Sequence, residues 1–464
     1  MKLGKVSIDN LRRILETVGL RAELDANPLS EEEVVSTNPA IGVPLKTLGF
    51  FAFHYTASNV AVAFAKPMYA TLNVLGPPST TDEEMEEVVK SFVAECRKYQ
   101  VELRGGHTAR YEGIEYPLAV STIIGKRVRP RLNPSPGDKV YLIGTIGAES
   151  AWLLGKSIPL EEMTPLPNAL KLMRFEQVKL LHDVSEGGVL GALLELSKHY
   201  GFIIKVTAPS MPTNKDLPRD FDPLTAPTYG ALLAVTSSPQ ELEAVCRDEG
   251  VQCTSLAVIV GKGEGVEYKS KLYSEPPSTP LIELYNPYTP GDPELAQVLL
   301  AATMLIKIKD IERFIPEVGA NIAYARRGAS RTEDVAALDG RIVRTSKGAR
   351  ICGKPSYGSS RHLARVILQA TRNNPDLRAA INLKPEPVLL KGLERIGLNP
   401  LEVKAVPSEC PIEQALHEGS KALALYYRNL PNLEPSLVIL GDDPVKLVEL
   451  VRLALSNIGA QEKT

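Results

Sequence analysis

The sequence predicts a multidomain protein built from α/β and α+β domains. Three observations carry this. Apolar strand-like runs alternate with helical patterns along the whole chain, as α/β and α+β layers require. The 464 residues are enough for about three domains at ~150 residues each. Two proline-rich stretches, 127–138 and 285–293, interrupt the pattern, and neither can continue a helix or a central strand. These breaks set blocks at 1–130, 131–287 and 288–464. No repeat of short period marks a solenoid or propeller.

In the first block, strands are expected at Gly49–Tyr55, Met68–Leu75 and Leu118–Ile124, and a long helix at Asp82–Tyr99. Thr81 or Asp82 would cap that helix, with Glu83, Glu84, Glu86 and Glu87 in its opening turns, where the macrodipole favours acids. The second block predicts strands at Lys139–Ile143, Phe202–Val206 and Ala231–Val235, and helices at Val189–His199 and Pro239–Glu249. Its turn His182-Asp183-Val184-Ser185-Glu186-Gly187-Gly188 offers Ser185 as an N-cap and a glycine pair that permits close backbone approach. The third block opens on a helix at Glu294–Lys307.

Composition excludes several classes. Lys+Arg 53 against Asp+Glu 55 leaves a net charge of −2, so there is no general electrostatic case for nucleic acid or an anionic membrane, and no helix-turn-helix is evident. The five cysteines (Cys96, Cys246, Cys253, Cys352, Cys410) are scattered and never form CxxC, which argues against a disulfide framework or a thiolate zinc site. The N-terminus lacks a signal-peptide pattern, and no apolar run reaches the ~18 residues of a membrane span. A cytoplasmic protein is expected.

Residues 311–380 hold 13 Lys/Arg and 6 Asp/Glu, a local basic excess. Within it, Leu363, Val366, Ile367 and Ala370 follow the i, i+3, i+4, i+7 spacing of an amphipathic helix, which leaves His362, Arg365 and Gln369 on another face. Gly358, Ser359 and Ser360 lead into this helix, and its N-terminus, with Arg361 and His362, makes a phosphate or pyrophosphate seat. The alternative is a serine-capped surface helix. Upstream, Ser330-Arg331-Thr332-Glu333 matches a capping box, and the Asp339-Gly340 turn would place Arg341 at the edge of a strand 341–343, as a bidentate phosphate donor needs.

Two resemblances follow from these segments. Ser58-Asn59-Val60-Ala61 through Lys66-Pro67, Gly105-Gly106-His107-Thr108, Asp183-Val184-Ser185-Glu186-Gly187-Gly188 and Tyr229-Gly230-Ala231 resemble the aminoimidazole-ribonucleotide synthetase (PurM-like) superfamily, which includes thiamine-monophosphate kinase and HypE. The likeness spans roughly residues 30–270 and implies PurM-like N- and C-terminal halves. It also implies Mg-ATP chemistry, but Val60, His107 and Ser36-Thr37-Asn38 stand where the superfamily keeps acids, which puts ATP as a cofactor in doubt. His54 and His107 read as structural histidines. Because domains of this superfamily commonly dimerise, the resemblance points to a homodimer.

Pro316–Ala325, Asp334-Val335-Ala336, Gly340-Arg341-Ile342, Tyr357–Arg365 and Arg378–Asn382 resemble the archaeal thiamine-phosphate synthase domain of the ThiN type, over about 294–460. That resemblance implies an α/β domain joining hydroxymethylpyrimidine diphosphate to a thiazole phosphate with release of pyrophosphate, and Mg²⁺ accompanying the diphosphate. It places the family's functional arginine and histidine on Arg341 and His362, and substrate contacts on Asn321, Tyr324, Gly358, Ser359, Ser360, Arg361, Arg365 and Asn382. The metal ligands stay unassigned. Two alternatives stand beside synthase activity: a non-catalytic sensor of thiamine precursors, and an ATP-dependent kinase or synthetase in the first two blocks. On every reading the partners are small phosphorylated molecules, not nucleic acid or membrane.

Overall fold

The computed structural model describes residues 6, 8–19, 23–114, 116–217, 221–277, 292–346, 348–404, 410–428 and 433–456. Its first unit, Met1–Pro290, takes in both blocks read before the 285–293 break. Most of that break lies outside the described residues.

The first unit begins with α1 (Ile8–Glu16), β1 (Asn27–Pro28), β2 (Glu33–Ala40), α2 (Leu45–Val62), β3 (Ala65–Gly76), α3 (Asp82–Tyr99), β4 (Glu102–Arg110) and β5 (Leu118–Arg127). The strands form one sheet of order β1-β2-β5-β3-β4. The strand expected at Gly49–Tyr55 lies instead within α2. Leu48, Phe50, Phe51, Phe53, Ala57 and Val60 are all buried, so this helix is apolar nearly all round and shows no amphipathic period to distinguish it from a strand. It packs tightly on α3: a Cβ at Gly49 would fall 2.2 Å from the carbonyl oxygen of Val88. Helix α3 spans the residues expected of it, and Thr81 and Glu84 close a capping box around its first turn.

The unit continues with β6 (Lys139–Ile143), α4 (Ala148–Leu153), α5 (Leu166–Leu172), β7 (Leu180–Asp183), α6 (Gly188–Tyr200), β8 (Phe202–Val206), β9 (Leu232–Thr236), α7 (Pro239–Asp248), β10 (Cys253–Lys262), β11 (Gly265–Tyr268) and β12 (Lys271–Tyr273). The sheet order is β12-β11-β8-β10-β6-β9-β7. Ser185 does not cap α6. Gly187 holds the cap position without a side-chain hydrogen bond, and Gly188 turns at φ +62°, where a Cβ would lie 2.7 Å from the carbonyls of Leu224 and Ala226. Backbone approach, not a hydroxyl, shapes this turn.

The second unit, Gly291–Thr464, comprises α8 (Pro293–Ile306), β13 (Ile322–Ala325), β14 (Val335–Leu338), β15 (Arg341–Thr345), β16 (Gly348–Cys352), β17 (Pro355–Tyr357), α9 (Arg361–Asn373), β18 (Ala379–Leu383), α10 (Pro387–Arg395), β19 (Leu401–Glu402), α11 (Pro411–His417), β20 (Ala424–Tyr427), β21 (Ser436–Gly441) and α12 (Pro444–Ser456). Asp292, at the end of the proline-rich break, caps α8 by accepting from the Leu295 amide at 3.0 Å.

Its seven-stranded sheet runs β17-β14-β13-β18-β21-β20-β19, with β15–β16 a separate hairpin. Alternation sorts each strand's side chains between two cores. Ile322, Ile381 and Ile439 pack with α8, α10 and α12, while Ala323, Ala380, Val438 and Leu440 pack with α9 and α11. The expected core face of α9 (Leu363, Val366, Ile367, Ala370) is buried. The capping box read at Ser330–Glu333 is replaced by the next acid along. The Asp334 carboxylate accepts from the Ser330 and Arg331 amides at 3.1 and 3.0 Å, so a short 3₁₀ turn forms in place of a helix.

Candidate active site

Arg341 is positioned at one end of the second unit's sheet, where the register gathers the start of β13, the end of β14, the end of β18 and the start of β21. Asn321 and Asn382 clasp this end together. Asn321 donates its backbone N–H to Asn382 Oδ1 (2.7 Å) and its Nδ2 to the Leu338 carbonyl (2.9 Å), while its Oδ1 accepts from the Ile322 and Leu338 amides (2.9 and 3.0 Å). Asn382 Nδ2 reaches the Gly319 carbonyl at 3.4 Å. Both side chains are buried, and their polar atoms serve neighbouring backbone.

The clasp positions Arg341. Gly319 turns at φ +85°, and a Cβ there would lie 2.8 Å from that of Arg341. One residue on, Ala320 and Ile342 exchange backbone hydrogen bonds of 2.9 and 2.8 Å, which strap the β15–β16 hairpin to the sheet end. Ile342 enters the core, so Arg341, the first residue of β15 and on the opposite face of that strand, stays exposed. Among the described residues Arg341 makes no ion pair, whereas Arg344 lies 3.9 Å from Glu317.

His362 arrives from α9. Gly358 donates to the Val335 carbonyl at 3.0 Å with φ +75°, and Ser359 then folds back to hydrogen-bond Ser356, so the chain reverses before the helix begins. Ser360 is buried at the N-cap but makes no capping hydrogen bond, so its hydroxyl does not occupy the first-turn amides of α9. Arg361 is exposed and His362 half-buried. Burial holds the His362 pKa below the ordinary histidine range, and the charges of Arg365 and Arg341 push it the same way. The imidazole is therefore neutral at pH 7 and lies within the field of Arg341. Arg365 is held by Glu413 of α11 at 3.1 Å, and Cys410, at the start of α11, places its Sγ 3.8 Å from His362 Nδ1.

Arg341 and Arg365 are thus both near enough for their charges to act on His362, and Ser359, Ser360 and Arg361 stand at the start of the His362 helix. Tyr324 does not join them. It projects on the opposite face of the sheet, accepts from Arg378 at 3.2 Å and stacks under that guanidinium at 4.6 Å, and Arg378 pairs with Glu294 at 3.0 Å. Cys410 and Glu413 had no sequence signal: the proline after Cys410 marks a helix start but says nothing of its neighbour in space.

The first unit holds a buried ionic network. Asp25 accepts from Arg131 at 2.5 Å and contacts His182 Nδ1 at 2.7 Å, and His182 Nε2 contacts Glu195 at 2.9 Å. Asp25, His182 and Asp183 lie close enough together to suggest a metal, but both imidazole nitrogens are engaged by carboxylates and an arginine completes the cluster. This is an ion network, not a metal centre. His54 is fully buried, with Nε2 3.0 Å from Glu95 and Nδ1 2.7 Å from Thr164, so its structural reading holds. His107 is exposed on β4, 3.4 Å from the Tyr111 hydroxyl.

No helix among the described residues is long and apolar enough to cross a membrane. Family profiles match in the order the fold suggests: AIR synthase related protein, N-terminal domain, at 27–126; the same family's C-terminal domain at 135–269; and thiamine-phosphate synthase ThiN at 297–453. The chain is 32% identical over 170 residues to thiamine-phosphate synthase ThiN of Methanothermobacter thermautotrophicus, covering 34% of this chain and 90% of that protein. It is also 32% identical over 146 residues to a thiamine-monophosphate kinase of Rhodopirellula baltica, covering 31% of this chain and 44% of the kinase. A solved thiamine monophosphate kinase from Aquifex aeolicus aligns with TM-score 0.48 and 17% identity over 59% of this chain and 99% of that one. The first unit therefore has AIR-synthase-related halves, and the second carries Arg341 and His362 within the ThiN match. Since nine-tenths of the Methanothermobacter protein is matched at 32% identity, the chain belongs to the thiamine-phosphate synthase ThiN family, an enzyme family of transferases, with an AIR-synthase-related region preceding its ThiN domain.

Proposed function

We propose that the second unit condenses hydroxymethylpyrimidine diphosphate with a thiazole phosphate and releases pyrophosphate. The observation that carries this reading is that the Arg341 charge acts on the His362 imidazole, 21 residues away in sequence, within the stretch matched by the ThiN family. In the reaction the bond between the pyrimidine methylene and the diphosphate oxygen breaks and its electron pair leaves with pyrophosphate. The thiazole nitrogen then supplies the pair for the new C–N bond. Negative charge grows on the leaving group, so the protein's task is electrostatic.

Arg341 and the N-terminal amides of α9 would hold the diphosphate, Arg361 and Arg365 adding positive charge. A neutral His362 would donate a hydrogen bond to a leaving oxygen. Mg²⁺ accompanies diphosphates as a rule, but the carboxylates near this end are engaged: Glu413 by Arg365, Glu434 by the Glu317 and Val318 amides, Asp339 by the Lys354 amide. These residues do not form an Mg²⁺ ligand set, and no step is assigned to protein-bound metal. The test is incubation of the full chain with both substrates and Mg²⁺. Thiamine phosphate identified by mass, with equimolar pyrophosphate, is expected; tight binding of both substrates without product would replace this reading with a precursor sensor.

For the first unit, the kinase-like stretch supports a second reading, phosphoryl transfer from Mg-ATP, which three positions oppose. Val60 is buried with its side chain where a Gly125 Cβ would stand, His107 is exposed beside Tyr111, and Ser36 donates to the Asp25 carbonyl at 3.2 Å. None offers the hard oxygen anions Mg²⁺ prefers. Mg-ATP binding by calorimetry on the full chain decides it, and absence of binding is expected.

A further inference from the structure

Cys410 is half-buried at the N-cap of α11, and its sulfur lies 3.8 Å from Nδ1 of His362 across the packed α9–α11 pair. The Arg365–Glu413 ion pair of 3.1 Å, one turn further along both helices, fixes the spacing between them. Burial raises the Cys410 thiol above its usual range, so at neutral pH it carries its proton. The imidazole's neighbour is this protonated thiol from α11, and the charges of two guanidiniums, Arg365 from its own helix and Arg341 from β15, act on it. No carboxylate is seen bonded to it among the described residues.

A neutral imidazole has one N–H and one bare nitrogen, and whichever nitrogen receives a hydrogen bond is left bare. A thiol is a weak donor, but it has a proton to give and Nδ1 is the nitrogen it faces. We propose that Cys410 is a positioning residue that fixes His362 as the Nε2–H tautomer, aiming that N–H at the oxygen leaving with pyrophosphate. The inference rests on the synthase reading for its substrate, and on the Cys410–His362 contact alone for its tautomer. No proton changes hands: Sγ–H donates to Nδ1, and Nε2–H donates to the anion.

The experiment labels the full chain with ¹⁵N-histidine and reads tautomers from long-range ¹H–¹⁵N correlations. With only 6 histidines in the chain, the spectrum of His362→Gln assigns the resonance. The wild type should show Nε2–H, and Cys410→Ala a mixture of tautomers. Cys410→Ser, which keeps a donor, should restore Nε2–H and keeps the test open if the alanine variant folds poorly. In turnover, Cys410→Ala should lower kcat about tenfold, equivalent to ~1.4 kcal/mol, with little change in KM, and serine should recover most of it. His362→Gln, whose amide N–H₂ falls near the Nε2 position, should outperform His362→Asn. An Nδ1–H wild type, or an unchanged tautomer in Cys410→Ala, overturns the proposal. Because the tautomer is read without turnover, failure of the condensation reaction alone would count against the substrate assignment and leave this result standing.

Discussion

The charge of Arg341, first residue of β15, helps hold His362, second residue of α9, below the ordinary histidine range, after burial and beside Arg365. A cation kept near a neutral imidazole suits a site that must receive a diphosphate without neutralising itself beforehand. The same pairing ranks what each substitution should do.

Arg341→Ala should leave the fold intact, because the side chain is exposed and Ile342 supplies the hairpin's anchor. Turnover should fall by ~10²–10³, the scale for losing one preorganised charge-assisted donor. Steady-state kinetics beside thermal melting would check this, and a variant within twofold of wild type would remove Arg341 from the leaving-group site.

The acid limb of the pH–kcat profile should lie below pH 6.5, because His362 must be neutral and burial, Arg365 and Arg341 all depress its pKa. In Arg341→Ala the residual activity should show that limb shifted to higher pH, one depressing charge being gone. A limb that moves the other way would mean the two groups do not share a field.

Asn321→Leu should destabilise the second unit by about 1–3 kcal/mol, since the buried Leu338 N–H and C=O lose their partner. Denaturant unfolding measures it. Turnover should fall with it, because Gly319 and Arg341 hang from the same clasp; unchanged stability would show that the asparagine pair is not the clasp.

The ionic network at His182 gives the first unit a pH signature. Burial opposes the charged imidazole, but Asp25 and Glu195 raise its pKa to about 10, above the ordinary value of 6.5. The folded state therefore binds a proton that the unfolded state releases. This stabilisation is complete below pH 6.5 and is lost as pH rises toward about 10. Asp25 adds the opposite edge: despite burial, His182 and Arg131 hold its carboxyl well below the usual range, so its contribution is present above the unfolded carboxyl pKa and lost as acid protonates it. His182→Gln should flatten the alkaline slope in melting experiments between pH 7 and 10.

What was legible from the residues alone followed from local physics. Helix α3 announced its cap and its acidic first turn, and strands β6 and β8 stood out as short apolar runs between turn residues. The amphipathic period of α9 separated Leu363, Val366, Ile367 and Ala370 from His362 before any fold was known. Glycines and prolines marked the breaks, and the motif order named both halves of the chain. Local pattern failed where burial is complete or contacts are distant: α2 is apolar on nearly all sides and so has no period to read, and Ser185 and Ser330 yielded their caps to backbone approach and to Asp334. Only the tertiary structure decided that Asn321 and Asn382 brace the sheet, that Tyr324 turns to the far face, and that Cys410 sits against His362. The reason is physical: propensity, period and capping act over a few residues, whereas the field at an imidazole is summed over whatever the fold brings near it.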